Sequence, residues 1–437
     1  MLLDKYLFRQ IDNSALIVFR IFFGVLIFLE SVGAIFTGWV KRTLIDPEFT
    51  FSFIGFEWLQ PLPGYGMYLY YLVMGVFSIM IMVGYRYRFA MLSFTVLWTG
   101  TYLMQKSAYN NHYYLLILIC AMMTVLPAHK HYSMDVKRHP GIRKNSMPQW
   151  CGLLIIMQLF IVYTYASVAK MYPDWLDLTV AKNLMASRKD YAIIGTVIQK
   201  EWFLYIIAYA GILFDLLIVP LLLWKRTRKW AFFLSIFFHL FNSIVFQIGI
   251  FPYLSLAFTL FFFEPKVIQK LFLKKKELYI KDEIIIPNYR KPLLIVASIY
   301  FIVQIGLPLR HWFIEDNVLW TEEGHRLSWR MMLRSKLGSI SYKIVDKNTG
   351  NPIPVQLNDY LTPKQKRLAS TKPDVIWQFA QKLKMDYAKQ GRPISVFVNS
   401  RLSINGKPFK PFIDPEVDLA AIEWQALKHS DWILPSE

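Results

Sequence analysis

Long apolar runs recur along the chain as far as residue 308, and they constrain its fold more than any other feature. A helix needs about 20 largely apolar residues to cross the hydrocarbon core of a bilayer. Soluble domains contain about 25% charged residues, whereas this chain contains 18%. We therefore predict a polytopic α-helical membrane protein with about nine spans. The runs lie at about 14–38, 66–84, 88–104, 112–127, 150–169, 202–224, 230–247, 249–263 and 292–308.

The distribution of positive charge predicts the orientation of these spans. The net charge of +19 could suggest nucleic-acid binding, but the lysines and arginines are concentrated in alternate short loops. Those loops are at 86–88, 130–144, 225–229 and 266–291. Cation-rich loops stay in the cytoplasm, so we expect a cytoplasmic N-terminus, an extracytoplasmic C-terminus and no nucleic-acid partner.

The composition changes to that of a soluble domain from Arg310 onward. Segments 339–346 and 393–403 alternate between apolar and polar residues, as strands do, and 373–389 carries apolar residues at helical spacing. The sequence therefore predicts two domains. Residues 1–309 form the transmembrane helical domain, and 310–437 form an extracytoplasmic β-rich domain with one helix.

The chain contains two cysteines, Cys120 and Cys151, and both lie in apolar runs. A cysteine in such a run is usually a small buried residue. We predict neither a disulfide framework nor a metal site.

Ionisable residues inside apolar spans are energetically expensive, so each requires a reason. In the predicted topology, His112, Lys170, Asp215 and His239 all lie in the outer half of the bundle, with Asn242 one helical turn after His239. A site at this boundary, beside the outer domain, is the natural inference. The full set of candidates is Arg20, Glu30, His112, Lys170, Asp215 and His239.

Structural alternatives exist for most of these residues. His112 follows two asparagines and could belong to a helix cap. Lys170 could extend to the interface beside aromatic residues, and His239 with Asn242 could join two helices. Asp215 must be paired or protonated.

Arg20 and Glu30 lie more than two turns apart on one helix, and we expect both to pair with neighbouring residues for structural reasons.

The chemistry of these side chains suits an enzyme with an apolar pocket. A lysine that has lost its hydration can act as a general base near neutral pH. Histidine and asparagine can donate hydrogen bonds to an oxyanion or to a ring oxygen. The apolar surroundings suit an isoprenoid or lipid cofactor that enters from the membrane.

Six motifs occur in order along the chain, and as a set they resemble the vitamin K-dependent γ-glutamyl carboxylase family, including its bacterial members with an HTTM-type membrane domain. The resemblance extends from the membrane bundle to the outer domain. The motifs are KSAYNNHYYL at 106–115, ASVAKMYPDW at 166–175, FHLFNS at 238–243, IGIF at 248–251, SWRMM at 328–332 and FIDPEVD at 412–418.

The resemblance implies a reaction in which a reduced vitamin K (phylloquinol or menaquinol) and O2 form an epoxide. The strong base generated on the way removes a γ-proton from a protein glutamate before CO2 adds, and no metal takes part. By the same resemblance, Lys170 is the base that deprotonates the quinol. His112 and Asn111 support the cofactor and the carbanion step.

Other residues receive lesser roles. Asp215, His239 and Asn242 are expected to support the cofactor. The segment around Trp329 resembles one that recognises the glutamate-bearing substrate, and Arg330 and Arg334 could attract a glutamate-rich peptide by charge.

The chain departs from the animal enzymes in three places. Ala169 replaces a lysine that precedes the catalytic one, the disulfide to the outer domain has no counterpart, and the sequence around His325 and Arg326 follows the bacterial branch.

Two other functions stay open from the sequence. One is a non-carboxylating quinone- or lipid-binding membrane enzyme of the same fold. The other, a distant alternative, is a proton-coupled transporter in which Asp215 and His239 form a relay.

Overall fold

The computed structural model describes residues 2–191 and 194–436. A helix occupies each of the nine predicted apolar runs. These helices are α1 (Ser14–Phe36), α2 (Gly66–Val83), α3 (Tyr87–Met104), α4 (Asn111–Val125), α5 (Trp150–Ala169), α6 (Glu201–Leu223), α7 (Arg228–Phe246), α8 (Phe251–Phe258, continued by a 3-10 turn at Thr259–Phe262) and α9 (Arg290–Leu309). Short helices precede α1 (Leu2–Phe8), follow α9 (Val318–Thr321) and lie between the others, at Met134–Arg138, Pro173–Leu176, Thr179–Ala186 and Pro265–Phe272.

Six of these helices are long and apolar enough to cross a membrane: α1, α2, α5, α6, α7 and α9 with its following turn. α4 and α8 are apolar but shorter. α3 has 18 residues but contains Arg88 and several threonines, which make it less apolar. The polytopic helical architecture is confirmed, with six candidate spans in the described residues in place of about nine.

Helix α1 packs against α2, α8 and the short helix Pro265–Phe272. Its Phe19 ring stacks on Phe258 of α8 at 5.1 Å. Gly24 allows α2 to approach closely, because a Cβ at this position would lie 2.6 Å from Cα of Met82. Arg20 is fully buried and donates to the carbonyls of Ala128 (3.1 Å) and Tyr132 (2.6 Å). Its partners are backbone carbonyls, so its role is structural, as expected.

The elements of the C-terminal domain are β3 (Lys336–Asp346), β4 (Pro352–Ile353), α10 (Pro363–Ala369), α11 (Pro373–Ala388), β5 (Ile394–Ile404) and β6 (Lys410–Ile413). Its four strands form one antiparallel sheet in the order β4-β3-β5-β6. The helix α11 covers this sheet, and its Val375 and Phe379 share a buried core with Val396 and Val398 of β5. The predicted strands and helix of this domain are confirmed. Two short strands outside this domain, β1 (Gln10–Asp12) and β2 (Ser146–Pro148), form a separate small sheet.

Buried ion pairs join the C-terminal domain to the membrane bundle. Asp374, at the start of α11, binds Lys106 (2.7 Å) from the loop before α4 and Arg326 (2.5 Å). Burial would raise the pKa of Asp374, but these two cations hold it well below its usual range. Phe51, from the loop after α1, also packs into the core of the sheet domain. The start of α4 is therefore fixed to the outer domain.

Candidate functional site

A cavity of about 360 Å3 opens among α5, α6, α7 and the segment before β3, and we call it the lysine cavity. Its wall is mostly apolar, with phenylalanines from α6 and α7 and two methionines from the outer domain. The structure brings five of the predicted residues together on its wall. The polar residues that line it are His112, Tyr163, Lys170, Asp215, His239 and Asn242.

Lys170 and Asp215 form an ion pair in this cavity. Lys170 follows the last residue of α5, and Asp215 lies in α6. Lys170 is 9% exposed and Asp215 is 5% exposed. The indole ring of Trp175 lies 5.6 Å from Nζ of Lys170. The lysine has therefore lost most of its hydration, and the carboxylate that needed a partner has one.

His239 is fixed by one of its two ring nitrogens. Its Nε2 lies 3.1 Å from the hydroxyl of Tyr163, and Phe214 packs edge-on against the ring. Its Nδ1 is buried and has no hydrogen-bond partner among the residues that the structure describes. A buried polar atom without a partner is costly, so this nitrogen is available to a polar group in the cavity.

His112 does not serve as a helix cap. The cap of α4 is Asn110, whose Oδ1 accepts a hydrogen bond from the backbone N–H of Tyr113 (2.7 Å). The imidazole of His112 stacks on Phe251, with ring centroids 3.9 Å apart. In the described part of the chain no hydrogen bond engages the side chains of His112 or Asn242. Both are therefore available to a ligand.

Asn111 lies outside the lining of the lysine cavity. Its Nδ2 donates to the carbonyl of Arg330 (3.0 Å), and its Oδ1 accepts from the hydroxyl of Tyr109 (2.8 Å). The same hydroxyl accepts from the backbone N–H of Leu327 (2.8 Å). Asn111 therefore ties the start of α4 to the segment 327–332.

That segment carries the SWRMM motif and forms part of the cavity wall. Trp329 is buried and stacks on Tyr114 of α4 at 5.0 Å, whereas Met331 and Met332 line the lysine cavity. Trp329 and Met332 have φ of 58° and 54°. Residues other than glycine are held in such conformations only by their surroundings. The hydrogen bond from Asn111 to the carbonyl of Arg330 is one of the contacts that hold this segment in place.

The two predicted substrate arginines contact other residues of the chain. Arg330 is half-buried, and its Nη1 lies 3.2 Å from Nε2 of His311. Burial lowers its pKa to about 10. It borders a polar cavity of about 490 Å3, which Met171 and Trp312 also line. Arg330 therefore lies on a different cavity from Lys170.

Arg334 belongs to a buried cluster around Glu322. The Glu322 carboxylate binds Arg334, and it also binds Lys336 and Lys372 at 2.7 Å each. Burial alone would raise the pKa of Glu322, but these three cations hold it well below its ordinary value. Burial lowers the pKa of Lys336 to about 7 against the attraction of Glu322. Arg334 therefore has a carboxylate partner within the chain.

Tyr163 is a cavity residue that we did not identify from the sequence. A tyrosine in an apolar span is ordinary, and its importance comes only from His239 on another helix. No group of three or more metal-ligating side chains that could hold an ion is found among the described residues.

Comparison with known proteins identifies the two parts of the chain. Residues 8–266 match the HTTM domain, and residues 289–437 match the vitamin K-dependent gamma-carboxylase, lumenal domain. No solved structure matches this chain. It is an integral membrane protein with a lumenal C-terminal domain. With these two domains in this order, the chain belongs to the vitamin K-dependent gamma-carboxylase family.

Proposed function

We propose that this protein is a γ-glutamyl carboxylase. It would couple oxidation of a reduced vitamin K-type quinol by O2 to proton removal from a protein glutamate and addition of CO2. The observation that carries the proposal is the buried Lys170–Asp215 pair on an apolar cavity. Family membership supports the choice of substrate class.

The residues of the lysine cavity fit a quinol. Ligand pockets of about 300–1,000 Å3 combine an apolar wall with a few polar groups that fix orientation, and this cavity has about 360 Å3. Its phenylalanines suit an aromatic head group and an isoprenoid tail. Asn242, His112 and the unpaired Nδ1 of His239 offer hydrogen bonds to ring oxygens.

Lys170 and Asp215 would act together as the base. The contact between Nζ and Oδ2 would let the two groups share one proton, and the pair would accept a second from a ring hydroxyl. The product is a Lys170 ammonium beside a protonated Asp215. The ammonium would stabilise negative charge on a ring oxygen, and the mostly apolar wall of the cavity would strengthen that interaction.

When bound, the reduced quinol supplies, through its reaction with O2, the strong base that removes the γ-proton of the glutamate. His112, stacked on Phe251, would hold the oxyanion by a hydrogen bond. Asn111 would act indirectly, because it positions the segment that carries Met331 and Met332. His239 would be oriented by Tyr163.

We assign the glutamyl substrate to the polar cavity beside Arg330, on the outer face of the same segment. The half-buried guanidinium there can attract a carboxylate. Trp329 and Arg334, both held by internal contacts, would fix the backbone on either side of Arg330. The N-terminus would be cytoplasmic, since the cation-rich loops lie on the face opposite the lumenal domain.

The test is an assay of purified protein with reduced phylloquinol or menaquinol, O2, a glutamyl peptide and labelled CO2. We expect epoxide and labelled peptide to form together, each requiring quinol and O2. Epoxide without labelled peptide would identify a non-carboxylating relative. Absence of both products with either quinol would contradict the proposal.

A further inference from the structure

A third cavity, of about 760 Å3, lies on the other side of His112, and we call it the outer vestibule. His112 and Phe251 line both cavities, so their stacked rings form the partition between them. The wall of the vestibule is far more polar than that of the lysine cavity. Its polar residues are Glu30, Thr37, Arg42, Asn110, His112, Tyr113 and Gln247.

Glu30 is the carboxyl group that the proposed function leaves unused. It lies six residues before the end of the candidate span α1, where an ionisable side chain is expensive. Its Oε1 accepts a hydrogen bond from the hydroxyl of Tyr113 (2.8 Å). No ion pair involves Glu30 in the described residues. A Cβ built at Gly249 would lie 3.9 Å from Oε2, so the other oxygen faces the turn before α8.

The mouth of the vestibule reaches the surface on the side of the lumenal domain. Thr37 and Arg42 follow the end of α1 and are exposed, as is Gln247. The polar lining therefore continues from an exposed rim to Glu30 and His112. Polar cavities of this size hold water, and a chain of water and side chains can conduct protons.

The carboxylation reaction needs such a path. One quinol, one O2, one CO2 and one glutamyl C–H give one epoxide, one water, one new carboxylate and one proton. That proton is taken up at Lys170 and Asp215, a buried pair on a mostly apolar cavity. It must leave before the pair can act again.

We propose that the outer vestibule is the exit for this proton and that Glu30 is its carrier; the inference rests on the proposed function. His112 borders both cavities and accepts the proton as an N–H bond of the Lys170 ammonium breaks. The imidazolium N–H then breaks as an O–H bond forms on Glu30, directly or through water. Finally, the Glu30 O–H gives its proton to water at the rim, which restores the carboxylate.

The first test needs neither quinol nor turnover. Cysteine replaces Glu30 in one variant and Leu72 in a control variant. Leu72 lies six residues from the lumenal-side end of α2 and is 50% exposed on the bundle surface. A charged, membrane-impermeant thiol reagent is added to protein in lipid vesicles. We expect labelling of Glu30→Cys and none of Leu72→Cys, because Leu72 lies on the surface of the bundle that faces lipid. The native cysteines are buried and should give no background labelling. Failure of folded Glu30→Cys to react would contradict a water-filled vestibule.

The second test compares Glu30→Gln and Glu30→Asp with Glu57→Gln, an exposed control. We expect Glu30→Gln to keep its first turnover and lose steady-state turnover by at least about tenfold. Azide or formate, which carry protons, should restore it, and Glu30→Asp should retain it. Unchanged turnover, or a loss that azide and formate do not relieve, would overturn this inference and leave the proposed function standing. A wild-type protein without turnover would contradict the proposed function as well.

Discussion

Lys170, at the end of α5, forms a buried ion pair with Asp215 in α6, and this pair lies on an otherwise apolar cavity. The lysine is largely removed from water, and the Asp215 carboxylate is its charge partner. Its ability to take a proton therefore depends on the carboxylate that shares its hydrogen bond. This relationship leads to the first prediction.

Asp215→Asn removes the charge partner of Lys170. A buried charge that loses its partner costs about 3–5 kcal/mol of stability, and the second proton site of the pair is lost. We expect a lower unfolding temperature and a loss of quinol-dependent turnover of at least about 100-fold. The control is Asp177→Asn, an exposed position whose turn hydrogen bond an asparagine can also make. Wild-type turnover in Asp215→Asn would exclude a shared base.

Tyr163→Phe tests the orientation of His239. The change removes the hydroxyl that lies 3.1 Å from Nε2, so the imidazole can rotate away from the cavity. We expect turnover to fall about tenfold, whereas stability changes by only about 1 kcal/mol. Tyr70→Phe is the matched control, because its hydroxyl donates to the carbonyl of Leu97 (2.6 Å) away from the lysine cavity. Equal effects of the two variants would argue against a role for Tyr163.

The Glu322 cluster predicts a pH dependence of stability. Burial lowers the pKa of Lys336 to about 7 from 10.5, in a setting that also contains Arg334, Lys372 and His325. Between these values the unfolded chain binds the proton and the folded chain does not, so stability rises with pH. We expect the unfolding temperature of the wild type to rise between pH 7 and pH 10, as measured by thermal denaturation. Lys336→Met should reduce the slope, and an unchanged slope would contradict this assignment.

Gly24→Ala tests the close contact between α1 and α2. The added Cβ would lie 2.6 Å from Cα of Met82, so the helices must separate, at a cost of about 1–3 kcal/mol. Gly33→Ala on the same helix is the control, because a Cβ there meets nothing within 4 Å. We expect a lower unfolding temperature only for Gly24→Ala. Equal stability of the two variants would show that α1 and α2 are farther apart at Gly24 than the contact with Met82 implies.

Much of the fold was predictable because it follows from local patterns. Apolar length predicted the helices of the bundle, and alternation predicted the strands β3 and β5 of the lumenal domain. The number of spans was harder to predict. The turn at Gln247 and Gly249, both with positive φ, separates α7 from a helix too short to span.

The candidate site was predictable where one side chain was costly by itself. Lys170, Asp215, His239, Asn242 and His112 all stood out in apolar runs, and they share one cavity. Contacts between distant residues were not predictable. The hydrogen bond from Tyr113 to Glu30, and the tie of Asn111 to Arg330, depend on helix packing that no local pattern reveals.

The most direct test of the central claim is quinol-dependent incorporation of labelled CO2 into a glutamyl peptide by Lys170→Ala, measured beside Lys182→Ala. Lys182 is an exposed lysine in the short helix Thr179–Ala186. The account predicts that Lys170→Ala is folded and incorporates no label, whereas Lys182→Ala matches the wild type. Incorporation at the wild-type rate by Lys170→Ala would contradict it.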